Sequence, residues 1–76
     1  MPLNESETSL NARLRRAHSE NDWAALVTLY QDAARQADDE SAESFFLTHA
    51  YIFALELGDP VAAQIKARLV TLERDY

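Results

Sequence analysis

His18 and His49 are the only imidazoles in this chain of 76 residues. Neither stands at the HExxH or ExxH spacing that brings a second ligand or a carboxylate onto the same helix face. They read as partner contacts or helix-end residues, and no metal site is expected. Cysteine is absent, which excludes thiolate ligation and disulfide stapling. A single glycine leaves nothing from which to build a Gly-rich phosphate loop. Ser and Thr hydroxyls are plentiful, yet no Ser-His-Asp grouping is suggested. The run Asp38-Asp39-Glu40-Ser41 has the chemistry of a cation or basic-peptide site. Acids and Ser are also what a helix start favours, and that is the reading adopted. No catalytic residue and no cofactor is expected, and the chain does not read as an enzyme.

Composition narrows the remaining choices. A formal net charge of −6 repels nucleic acid and anionic lipid, so neither is expected as a partner. The longest strongly apolar run, Ala50 to Leu55, is far too short to cross a bilayer. Met1 to Ser9 is polar and acidic, unlike the basic-then-apolar order of a secretory signal, and a cytoplasmic setting is expected. An apolar share of 47% argues against a disordered tail. A chain of this size buries only about 60% of its unfolded surface, which limits a single small domain over 1–76 to roughly 3–5 kcal/mol of stability.

The elements that must position these side chains are four helices. The first is expected over about Glu5 to His18, with Asn4 and Glu7 at capping-box spacing. Its acids lie near the positive end, and Arg13, Arg15 and Arg16 near the negative end. Leu10, Leu14 and Ala17 make a narrow stripe at i, i+4, i+7. The second runs from after Asp22 to about Ala37, and Trp23, Leu26, Val27, Tyr30, Ala33, Ala34 and Ala37 form its apolar face. The third, about Ala42 to Leu57, is apolar on nearly every side, which predicts a central helix buried between several partners. The fourth, about Pro60 to Arg74, carries Val61, Ile65, Leu69 and Leu72 on one face. Ala63, Ala67 and Val70 lie on another, and one of these two faces is left without a helix to cover it.

One turn is made twice. Ala17-His18-Ser19-Glu20-Asn21-Asp22 aligns with Ala54-Leu55-Glu56-Leu57-Gly58-Asp59 at an offset of 37 residues. Asn21 and Gly58 are the residue types that best tolerate the left-handed conformation past a helix end. Asp22 and Asp59 then stand where a side-chain oxygen can cap the next helix, and Pro60 suits a first turn. The spacing predicts an all-α fold of two stacked antiparallel helical hairpins, about 5–37 and 42–74.

These residues resemble the tetratricopeptide repeat family, whose unit is a helix pair of about 34 residues. The first copy runs over about Glu7 to Glu40, with Leu10, Arg13, Leu14 and Ala17, the Asn21-Asp22 turn, then Leu26, Tyr30 and Ala33. The second runs over about Ser44 to Tyr76, with Leu47, Ala50, Tyr51 and Ala54, the Gly58-Asp59 turn, then Ala63, Ala67 and Val70. Arg13, Leu14, Tyr51 and Ala67 depart from the family pattern, and the period is longer than the family's. The resemblance implies a groove lined by the first helix of each pair, which here means Asn11, Arg15 and His18 facing Phe45, Thr48, Ile52 and Leu55. Helical spacing independently puts Asn11, Arg15 and His18 on one face. Some family members clamp a peptide's terminal carboxylate in this groove. Only Asn11 and Arg15 could serve here, so a complete clamp is not expected, and burial of Phe45 and Ile52 as core under the first helix is an equal alternative to a groove.

The expected function is a small protein–protein interaction module that takes a peptide or helix of another protein. Alternatives are a purely structural self-assembling unit or, with no constellation to support it, a small-ligand or enzyme-associated domain. A homodimer is expected, because two repeats fall short of the three or so that such stacks need. Its contact is expected at Ile65, Leu69 and Leu72 of the fourth helix, with Lys66, Arg68 and Arg74 meeting Glu73 and Asp75 of a second copy, or at the groove through Phe45 and Ile52.

Overall fold

A computed structural model describes residues 5–74, with side chains over 10–73. Helices α1 (Glu5–Ser19), α2 (Trp23–Arg35), α3 (Glu40–Leu57) and α4 (Val61–Arg74) account for the described chain, which is all-α. Asn4 of the expected capping box lies outside the described residues, as does Asp75.

The helix ends follow from local chemistry. Asn21 takes φ 54° and Gly58 φ 67°, the two positive values among the described residues. At the first turn the Asp22 amide donates to the Ala17 carbonyl at 2.8 Å and the Asn21 amide to His18 at 3.2 Å. At the second, Asp59 donates to Ala54 at 2.9 Å and Gly58 to Leu55 at 3.1 Å. Both are the paired closure of a Schellman motif, which satisfies carbonyls left over at a helix end. Asp22 then caps α2 by accepting from the Ala25 amide at 3.2 Å. Asp59 accepts from the Val61 amide at 2.9 Å.

Nothing lies within 4 Å of the place a Cβ would occupy at Gly58, so a substitution there meets conformational strain alone. Gly58→Val is expected to cost about 1–2 kcal/mol by forcing a β-branched residue left-handed. Asp59→Ala should cost about 1 kcal/mol through the lost cap. Thermal unfolding of both variants measures this, and unchanged midpoints would contradict the turn's role.

The α2–α3 connection differs slightly from expectation. Helix α2 stops at Arg35, and the Gln36 and Ala37 amides close back on Ala33 and Ala34 at 3.2 Å in tight, 3₁₀-like geometry. Helix α3 begins earlier than predicted, because Asp39 accepts from the Ala42 amide at 2.7 Å. Glu40 and Glu43 occupy its first turn, where the macrodipole favours acids. The acidic run is thus a helix start.

Each helix packs on the next in the chain: α1 on α2, α2 on α3, α3 on α4, with α2–α3 the most extensive contact. Two cores result. Ala17, Leu26 and Leu29 join α1 to α2, with Leu10 and Leu14 against them. Val27, Ala34, Leu47, Ala50, Ala54, Ala62, Ile65 and Leu72 join α2, α3 and α4. Tyr30 and Phe53 touch both. The Cα envelope measures 44 × 28 × 13 Å, a thin slab.

Two expectations are corrected here. Helix α3 is not covered on all sides: Leu47, Ala50 and Ala54 are buried, while Phe45, Ile52 and Leu55 remain 58%, 50% and 55% exposed. The reason is that α1 packs chiefly against α2 and meets α3 at Phe53, away from that stripe. Nor is the stripe Ile65, Leu69, Leu72 available for a second copy. Ile65 and Leu72 are 3% and 2% exposed within the core, and Leu69 packs against it. The fourth-helix face left open is the other one, Ala63, Ala67 and Val70.

Arg68 is likewise committed within the chain. Its Nε and Nη2 donate to the two carboxylate oxygens of Glu43 at 2.7 and 3.0 Å, which also shows α3 and α4 to be antiparallel. The hydrogen bond from Arg68 holds the Glu43 carboxyl below its ordinary range, with the guanidinium charge adding to the effect and burial opposing it. A depressed carboxylate stabilises the fold above its unfolded pKa and loses that contribution as pH falls through the folded value. Both partners are partly exposed, so the pair contributes roughly 0.2–1 kcal/mol. Arg68→Ala should therefore lower the urea midpoint more at pH 7 than at pH 3. Equal losses at both values would show that charge is not involved.

Candidate partner-binding face

The exposed side of α3 is built by helical spacing. Phe45, Thr48, Ile52 and Leu55 fall within one arc of the helix, opposite Ala50 and Ala54. The Thr48 hydroxyl donates to the Ser44 carbonyl at 2.8 Å. That leaves its methyl to continue the apolar stripe.

Beside this stripe, toward α1 and α2, lies a run of rings. The Tyr30 ring stacks on His49 at a centroid distance of 5.0 Å and on Phe53 at 6.0 Å. Phe45 meets His49 at 4.6 Å, and Trp23 meets Phe53 at 5.1 Å. His18 turns its edge to Phe53 at 5.9 Å. Offset and tilted arrangements of this kind add to plain area burial.

Hydrogen bonds orient both imidazoles. His49 Nδ1 lies 2.9 Å from the Phe45 carbonyl; a carbonyl only accepts, so Nδ1 carries the proton. His18 Nε2 lies 2.9 Å from the Tyr30 hydroxyl. Burial pushes the Tyr30 phenol up, which keeps its proton in place at neutral pH.

The predicted groove residues are partly assembled. Asn11, Arg15, His18, Phe45, Thr48 and Ile52 are all exposed. His18 of α1 meets a ring of α3, and that ring is Phe53, which is not one of the predicted groove residues. The ring cluster itself was not read from the sequence. Trp23 and Tyr30 stand seven apart on the predicted apolar face of α2, and Phe46, His49 and Phe53 share an α3 face. The i+7 and i+3 spacings could have suggested the two sides, but not their meeting.

A concavity lies between α1 and α2, with a volume of about 380 Å³. Arg13, Arg16, Ala17 and Glu20 of α1 and its following turn line one side, and Asp22, Ala25, Thr28 and Leu29 the other.

Among the described residues no three His, Asp or Glu side chains converge on a common point. No helix of the described residues is long and apolar enough to cross a membrane. The open α3 face can pack apolar and aromatic groups. No family model, no curated protein and no solved structure matches this chain.

Proposed function

We propose that this chain is a small protein–protein interaction module, akin in use to a tetratricopeptide-type adaptor, which holds an apolar helix or peptide of another protein along the outer face of α3. The observation that carries this reading is the exposure of Phe45, Ile52 and Leu55 on one stripe. Large apolar side chains scattered singly need no explanation, but a contiguous patch marks an interaction surface. The adjacent rings of Tyr30, His49 and Phe53 support the reading, because aromatic groups are enriched where partners bind.

Selection of helical peptides against the purified protein tests it. Selected peptides should lose at least tenfold in affinity on Ile52→Asp or Phe45→Asp, since an unpaired carboxylate would be buried in the contact. Equal binding to wild type and both variants would place the binding surface elsewhere.

A second copy of the chain is the other occupant this face favours. Sedimentation at micromolar concentration should then give twice the 8.6 kDa monomer mass, reduced to monomer by Phe45→Asp. A wild-type monomer under those conditions removes self-association and leaves the adaptor reading standing.

A further inference from the structure

We propose that the cleft between α1 and α2 binds a small amphipathic carboxylate, its apolar body on Ala17, Ala25 and Leu29 and its head on Arg13 and Arg16. The cleft opens on the flank of α1 away from His18, so the proposal is independent of the α3 face. It is a shallow cleft open to solvent, with a volume of about 380 Å³, enough to seat one alkyl chain along its floor.

The floor is apolar. Ala17 and Leu29 are buried, and Ala25 packs against them. Small residues at 17 and 25 keep the two helices from filling the space with their own side chains.

The rim is charged and asymmetric. Arg13 and Arg16 make no ion pair among the described residues, although Arg16 and Glu20 stand at the i, i+4 spacing that allows one. Arg35 pairs with Asp32 and Arg68 with Glu43, whereas Arg15, which does not line the cleft, makes no ion pair among the described residues either. Asp22 is already committed to the Ala25 amide as a helix cap. Helices α1 and α2 run antiparallel from this turn, so Glu20 and Asp22 close the turn end while Arg13 stands level with Thr28 and Leu29, toward the far end. The carboxylates repel an anion from the turn and direct its head toward the arginines, whose planar forks suit a carboxylate.

Decanoate is a suitable probe, with decylammonium as its charge-reversed control. In amide-resolved NMR titrations of the intact protein, decanoate should shift Ala17, Ala25, Thr28 and Leu29 saturably. It should bind at least tenfold more tightly than decylammonium. Arg13→Glu combined with Arg16→Glu should reduce decanoate affinity tenfold or more. Thr28→Phe should block binding by filling the cleft, which keeps the test valid if the double charge reversal impairs folding. Shifts confined to Phe45–Leu55, equal affinity for the two probes, an unaffected Thr28→Phe variant, or no saturable shift at all would each overturn the proposal.

Discussion

Leu26→Ala is expected to lower the unfolding midpoint by about 10 °C or more and to leave much of the chain unfolded near physiological temperature. Leu26 is the largest side chain with essentially no exposure, and it sits in the small cluster that joins α1 to α2. Truncating a buried leucine costs about 2–5 kcal/mol, as lost transfer energy plus the cavity left behind. For a domain this small, each kcal/mol moves the midpoint by about 4–8 °C. Relief by local collapse is limited, because α1 packs chiefly against α2. Circular dichroism on heating measures the loss. A fall of less than about 5 °C would mean that α1 is not held through this cluster.

The second large effect is a contrast between neighbours on α3. Ala50 has no exposed surface, whereas Ile52 is 50% exposed. Adding three carbons in Ala50→Leu should cost about 1–3 kcal/mol, since a close-packed contact must open to admit them. Removing three carbons in Ile52→Ala should change stability by no more than about 0.5 kcal/mol, as surface substitutions do. The ordering is the reverse of what hydrophobicity alone would give. Urea midpoints for the two variants decide it, and a larger loss for Ile52→Ala would mean that the outer face of α3 is its buried one. Ile52→Ala also separates folding from binding, since it should weaken a partner on that face while leaving the protein folded.

The residues that were legible in advance act over short range. Asn21 and Gly58 end helices because they alone among their neighbours take the left-handed conformation cheaply, and Asp22 and Asp59 start the next helices by accepting an amide hydrogen two or three residues on. The stripe Leu10, Leu14, Ala17 likewise declared its own buried face. All of these depend on groups within about one helical turn of each other, so the order of residues is sufficient information.

Helix α3 carries apolar residues on nearly every side, and burial has no direction: nothing local says which side meets α2, which meets α4 and which stays open. The same ambiguity holds for α4, where two apolar faces were on offer and packing on α3 took Ile65 and Leu72 inward while leaving Val70 exposed. The meeting of His18, Tyr30, His49 and Phe53 depends on contacts between three helices. The sequence alone therefore determined that there are four helices and how the chain reverses at Asn21 and Gly58, while the bounds of the α2–α3 connection came from the structure. Only the tertiary structure decided which apolar faces were spent on the core, because that choice depends on the shape and bulk of neighbours distant in the chain.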